Sequence, residues 1–249
     1  MIKKKWEKFG EENPYYAVLT LDKFDNEKFS EKAREEFFRT GYEYIGRIWD
    51  EIETHFEKDF APRTALDFGC GVGRLVIPIA ERAERVVGID ISEKMLEKAD
   101  ENAVRLGFSN AEFYQTDEFF EKNDKTFDLI HSSIVFQHIK PSKGLEIFSK
   151  LVGVLSENGI GVIQFTYKDP SSKLDSLRFK LYRDFPVLHK LRNIIKRSRQ
   201  SLFPMYEYNL NEVFEILQTN DCHKCYVRFS HHGMNGVVVF FQKKKSFIY

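Results

Sequence analysis

Asp67, Gly69, Gly71 and Gly73 occupy alternate positions of ALDFGCGVGRL, residues 65–75. Glycines spaced this way after an apolar run let the backbone turn tightly and come close to a ligand. A helix starting beyond them offers unpaired N–H groups and a partial positive charge, which suit a carboxylate or phosphate. A second acid, Asp90, closes the run RVVGID and lies 21 residues after Gly69. At that spacing an acid in nucleotide-binding α/β folds accepts hydrogen bonds from ribose hydroxyls. A dinucleotide fingerprint would need a third glycine at position 74, where Arg74 stands. Asp67 is the other departure, because an acid at the strand end would repel a pyrophosphate. It suits a ligand with a cationic part.

Positioning these groups takes alternating strands and helices. Ala65, Leu66 and Phe68 read as a strand buried on both faces, followed by LVIPIAERA as a helix. Ahead of it, Ser30 reads as an N-cap, and Ile45, Ile48, Ile52 and Phe56 recur at helical steps. Val86, Val87 and Ile89 form a second short strand, and Ser92 caps a helix carrying Met95, Leu96 and Ala99 on one face. Residues 110–116 read as a third strand ending at Thr116, with Asp117 at its tip as ligand-binding acid or helix N-cap. Leu129 and Ile130 carry a fourth strand that ends in His131, Ser132 and Ser133. A helix then leads to a turn at Asn158-Gly159 and a strand from Ile160 to about Tyr167. EVFEILQTN, 212–220, is the last helix, and two strands at 222–230 and 236–244 close the chain.

Asp67-x-Gly69-x-Gly71-x-Gly73 matches, position by position, the first motif of the class I S-adenosylmethionine-dependent methyltransferases, which this chain resembles over roughly residues 60–167 and, by pattern, in its terminal hairpin. The resemblance implies a Rossmann-like, doubly wound, seven-stranded, mostly parallel α/β sheet with an antiparallel last strand. It implies S-adenosyl-L-methionine as cofactor and methyl transfer as the reaction. Gly69, Gly71 and Gly73 would hold its methionine end, with Asp67 at the ammonium. Asp90 would take the ribose, Ile91 and Met95 the adenine ring, and Asp117 with Thr116 the adenine amino group. The Ser132–Ser133 backbone would meet the methionine part. His138, on the short helix that usually faces the transferring methyl, is the first candidate base. His231 and His232 follow, since a hairpin strand parallel to the sheet would bring them to the ligand edge. Tyr15 and Tyr16 read either as anchors of an N-terminal arm or as aromatic faces over the sulfonium, a cation–π contact of about 0.5–2 kcal/mol.

The same pattern divides the chain into an N-terminal helical arm, 1–60, and a methyltransferase domain, 61–249, with an insertion at about 168–208. Within 173–199 nine basic residues face two acids, a net of +7. With leucines at helical steps, this stretch reads as a helical lid whose residues, Arg192 among them, meet an anionic acceptor. It reads equally as a membrane-surface element or a packed insertion with a solvated basic face. Over the whole chain Lys+Arg 38 balances Asp+Glu 38, so nothing points to specific nucleic acid binding. No apolar run is long enough to span a bilayer, and three cysteines without a secretory leader suggest a reducing, cytoplasmic setting. Cys222 and Cys225, three apart on a strand, point to opposite faces and do not converge on a metal. The expected acceptor is a small molecule or a glycan-type compound. Two rival readings remain: a cofactor-binding regulatory protein without catalysis, and a nicotinamide oxidoreductase. Sequence leaves the oligomeric state open.

Overall fold

A computed structural model describes residues 2–171, 181, 204–231 and 233–244. Its centre is β1, Thr64–Phe68, whose last four residues are buried. Around it runs a seven-stranded sheet in the order β3-β2-β1-β4-β5-β7-β6. The strands are β2 (Arg85–Asp90), β3 (Ala111–Gln115), β4 (Phe127–Ser132), β5 (Leu155–Lys168), β6 (Lys224–His231) and β7 (Asn235–Gln242). β1 to β5 pair in parallel, and β7 is antiparallel to both β5 and β6. This is the doubly wound arrangement anticipated above. After β1 the chain winds outward through β2 and β3, then returns to the other side of β1 with β4. Ligands in such sheets bind at that reversal, outside the carboxyl ends of the strands.

Alternation along the strands feeds two cores. Leu66, Ile130 and Ile163 join Phe136, Phe148 and Phe165 on one face, beneath α7 (Pro141–Gly153) and α8 (Leu210–Thr219). Ala65, Leu129 and Val162 face the other way, against α3 (Glu31–His55) and α4 (Val76–Ala80). Ser30 caps α3 by accepting from the Ala33 amide at 3.2 Å. Ile45, Ile48 and Ile52 of α3 are fully buried, each contributing about 1.5–3 kcal/mol relative to exposure. α1 (Ile2–Glu12) and α2 (Pro14–Val18) lie across α5 (Glu93–Leu106), and Glu7 supplies the link. Its carboxylate accepts from Ser92 Oγ and from the Glu93 and Lys94 amides, at 2.9–3.2 Å, at the start of α5.

Three boundaries differ from the sequence reading. The helix after the glycine loop is one short turn-and-a-half, Val76–Ala80, because a loop occupies the residues before Val76. β3 ends at Gln115, and Thr116 instead opens α6 (Thr116–Lys122), with Asp117 in its first turn. β5 starts at Leu155, not Ile160, since Leu155 already pairs with Phe127; the register then shifts, with Asn158 at φ +64°. Among the described residues no helix is long and apolar enough to cross a membrane.

Candidate functional site

A cavity of about 480 Å³ opens at the carboxyl ends of β1, β2 and β4. That volume falls in the range of small-molecule sites. Its floor is the glycine turn. Gly69 holds φ +73°, and a Cβ there would lie 2.4 Å from Val135 Cγ2, so no larger residue fits. Gly71 also lines the cavity at positive φ. Gly73 does not: it faces Ala99 on α5, and its φ of +83° is what favours glycine there, since an added Cβ would meet Ala99 at an ordinary 3.4 Å.

Asp90 lines the cavity from the end of β2. It is buried, and accepts from the Gly71 amide at 3.0 Å and the Ser92 amide at 2.9 Å. Burial pushes its carboxyl up to about 6, against the pull of those amides. Ile91, Met95, Thr116 and Asp117 line the cavity beside it. Asp90 at the end of β2, Asp117 in the first turn of α6 and the apolar Ile91 and Met95 can bracket a flat heterocycle and its ribose.

Asp67 lines the cavity from β1. It pairs directly across the strands with His131, whose Nδ1 lies 2.7 Å from Asp67 Oδ1. Both side chains are almost wholly buried. The Tyr44 ring of α3 covers His131 edge-on at 5.7 Å. Ser133 reaches the cavity, whereas Ser132 turns into the sheet and donates to the Phe68 carbonyl at 2.9 Å. Between them and the cavity mouth sits Ile134 at φ +62°, a strained setting for a β-branched residue. Gln164 of β5 fixes this turn: its Oε1 accepts from the Ile134 amide and from Ser133 Oγ, both at 3.1 Å.

His138 lines the cavity from the 3₁₀ turn Phe136–His138. Nδ1 lies 2.9 Å from the Pro204 carbonyl, so it must carry the proton. Nε2 then holds a lone pair, facing the Gln137 amide nitrogen at 3.1 Å. Burial lowers its pKa, and the nearby Lys5 charge acts in the same direction. The ring is therefore neutral at pH 7 and able to accept a proton.

The N-terminal arm lies over the cavity, and Tyr15 takes the anchor role rather than the one facing the cavity. Tyr15 is buried, donates to Asn102 Oδ1 at 2.8 Å and stacks on Phe29. Tyr16 is absent from the lining as well. Ile2, Trp6, Ala17 and Val18 line the site instead, with Trp6 edge-on to His138 at 5.6 Å. His231 ends β6, which is parallel to β5 as the topology argument required. Yet β6 is the outermost strand, three strands from β4 and so roughly 14 Å away. His231 is exposed there and pairs with Asn235. His232 and Arg192 lie outside the described residues, as does most of the basic insertion. Cys222 is buried and Cys225 exposed, and among the described residues no cluster of metal-ligating side chains occurs.

Sequence reasoning missed Trp6 and His131. A histidine within the apolar strand FDLIHS was the visible signal for the second, since a buried polar group demands a partner.

Residues 65–159 match a family described as "Methyltransferase domain". A carboxy-S-adenosyl-L-methionine synthase from Nitratiruptor is 30% identical over 157 residues, 61% of this chain and 65% of that one. A 23S rRNA (uracil(1939)-C(5))-methyltransferase from Alcanivorax borkumensis is 45% identical over 60 residues, 24% of this chain and 14% of that protein. The chain thus aligns with only a small part of these rRNA-modifying relatives. Among solved structures, magnesium protoporphyrin IX methyltransferase from Synechocystis with bound SAH aligns over 98% of both chains, with TM-score 0.64 and 17% identity. The N-methyltransferase NodS from Bradyrhizobium japonicum, in complex with S-adenosyl-L-homocysteine, covers 93% of this chain and 98% of its own at TM-score 0.55 and 14% identity. At such identities the likeness is one of fold.

Proposed function

We propose that the cavity binds S-adenosyl-L-methionine and that this chain, of which residues 65–159 match a methyltransferase domain, transfers its methyl group to a small, anionic acceptor. The observation that carries this is that Asp90 and Asp67, from the adjacent strands β2 and β1, line one glycine-floored cavity. Asp90, aligned by the Gly71 and Ser92 amides, suits ribose hydroxyls. Asp117 and Thr116 at the start of α6 suit the adenine amino group, with Ile91 and Met95 against the ring. Asp67 and the Ser133 turn suit the amino-acid end. The cofactor supplies an electrophilic methyl on a sulfonium. The protein's contribution is positioning, through a cavity whose walls fix the approach of the acceptor.

His138 stands on the acceptor side of the cavity and would take the proton of a hydroxyl or ammonium acceptor at Nε2 once the Gln137 amide, which donates to that atom, turns aside. Trp6 and Ile2 of α1 cover this side and exclude water. Lys140 and Lys143 line the cavity, Lys143 also pairing with Glu146, and Lys5 stands close enough to influence His138. They, with the net +7 of residues 173–199, support an anionic acceptor. Calorimetry with S-adenosylhomocysteine tests the cofactor: micromolar binding is expected, and absence of binding, or tighter binding of NAD, overturns the reading. Turnover of methyl-labelled cofactor against a panel of anionic and neutral small molecules tests the acceptor class. The Michaelis constant of an anionic acceptor should rise with ionic strength while cofactor affinity hardly moves. Anionic vesicles that capture the protein would favour the membrane-surface reading instead.

A further inference from the structure

The 3₁₀ turn that carries His138 has no side-chain cap of its own. It is held from outside by a strap, residues 204–208, that leads into α8. The strap is itself fastened to β5. There the Tyr208 amide donates to the Thr166 carbonyl, and Thr166 Oγ1 donates to the Tyr206 carbonyl, both at 2.7 Å. From that footing it grips the turn by main chain and by imidazole. The Tyr206 amide donates to the Gln137 carbonyl at 2.8 Å, and the Pro204 carbonyl accepts from His138 Nδ1 at 2.9 Å. The Tyr208 hydroxyl lies 2.9 Å from the Ile139 carbonyl and 3.0 Å from the Phe136 carbonyl, so its one hydrogen serves both ends of the turn. Gly144 of α7 makes room for this hydroxyl: a Cβ there would lie 1.9 Å from it. The Tyr208 ring is buried against Phe136 and Phe165, and burial keeps its phenol protonated. A hydroxyl in such a seat costs stability unless it is bonded, and a phenylalanine ring would fill the space without it.

We propose that Tyr208 is a positioning residue for His138: its hydroxyl, seated over Gly144, locks the turn so that the imidazole meets the Pro204 carbonyl and keeps its lone pair on Nε2. The inference rests on the reading of His138 as the base. Which imidazole nitrogen is bare is set by the bond the other one makes. A carbonyl can only accept, so Pro204 fixes the proton on Nδ1, and the Gln137 amide nitrogen at Nε2 calls for the same tautomer. The reaction needs that tautomer. As the acceptor's lone pair forms the bond to the methyl carbon, the sulfur–carbon bond breaks to leave a thioether, and the acceptor's proton passes to Nε2. With the proton already on Nε2, nothing there could receive it. The imidazolium so formed still donates from Nδ1 to Pro204, which steadies its charge. Tyr208 takes no direct part, since it does not line the cavity.

The test is NMR of the histidine side chains in the full-length protein at about pH 8, above the ordinary imidazole range. The His138 signals are identified by their loss in His138→Ala. Wild type should show a proton on Nδ1 that exchanges slowly with water, and a bare Nε2. Tyr208→Phe keeps the ring and removes the hydroxyl. It should speed exchange of the Nδ1 proton by about 2–13-fold, the factor equivalent to one hydrogen bond, while the amides of β1 keep their rates. Gly144→Ala, which drives the hydroxyl from its seat, should do the same. A wild-type proton on Nε2, or an Nδ1 proton whose exchange is unchanged in Tyr208→Phe, overturns the proposal. So does equal acceleration along β1, because Tyr208 would then serve only general stability. Should Tyr208→Phe not fold, Gly144→Ala decides alone, and unchanged exchange of the Nδ1 proton overturns the proposal. Failure of S-adenosylhomocysteine to bind would instead strike the methyl-transfer reading, and these spectra, which need no ligand, would still report on Tyr208.

Discussion

Gly71 donates its amide hydrogen to Asp90 at 3.0 Å, tying the turn after β1 to the tip of β2. The glycine loop and the acid 19 residues away are therefore one mechanical unit. A ligand that engages Asp90 also fixes the floor of the cavity. Asp90→Ala should weaken S-adenosylhomocysteine binding by about 1.5–3 kcal/mol, the range for a hydrogen bond to a charged group. Calorimetry reads this directly.

Asp90 also gives the binding a pH dependence. Its carboxyl is raised to about 6 in the folded protein, so the folded state holds the proton more tightly than the unfolded chain. Its contribution to stability is present below about pH 4 and is lost as pH rises through about 6. Hydroxyl donors favour the ionised form. Cofactor affinity should therefore climb between pH 5 and 6.5 and then level off, and Asp90→Asn should flatten that climb. An affinity constant across this range would contradict the assignment.

Gln164 holds the strained turn at Ile134. Gln164→Leu leaves the Ile134 amide and the Ser133 hydroxyl without their shared acceptor. The expected loss of stability is about 1–3 kcal/mol for groups left unpaired in a buried setting. Binding should weaken too, because Ser133 and Ile134 line the cavity. Urea denaturation with and without S-adenosylhomocysteine separates the two effects.

His138 is expected to act on the acceptor rather than the cofactor. His138→Ala should lower the methyl-transfer rate by about 10²–10⁴ with little change in S-adenosylhomocysteine affinity. Because burial lowers its pKa, the rate should hold through the ordinary imidazole range as pH falls and decline only below it. An unchanged rate would leave positioning alone as the catalytic device, as an already nucleophilic amine would require.

Glu7 fastens the arm to the body. Burial works against ionisation, but hydrogen bonds from Glu93, Lys94 and Ser92, with Lys3 nearby, hold its carboxyl below the usual range. Glu7→Ala removes a cap from α5 and should cost about 0.5–2 kcal/mol. Stability from this contact is present at neutral pH and fades as pH falls through the carboxylate range. Limited proteolysis should cut the arm of the variant faster, and the rate should drop if α1 excludes water from the acceptor side.

The sheet and the two acids that line the cavity were legible in the chain because both rest on local chemistry. Alternating apolar runs and glycine turns set β1, β2 and β4, and Asp67 and Asp90 end or nearly end their strands whatever the packing. Ser92 caps its helix through a contact three residues away, within reach of pattern reading. The errors came where contacts join distant parts. Tyr15 and Trp6 are both aromatic residues of an apolar arm, and only the angle at which α1 and α2 cross α5 decides that Trp6 meets the cavity while Tyr15 meets Asn102. His131 looked like one more residue of a strand end until its register opposite Asp67 made it that acid's partner. Gly73 shares its spacing with Gly69 and Gly71 but turns toward Ala99, because the loop has by then curved under α5. Arg74 read only as a missing glycine. Its burial depends on Gly41 of a helix more than thirty residues earlier. Local sequence sets which groups can bind; long-range packing sets which of them face the same space.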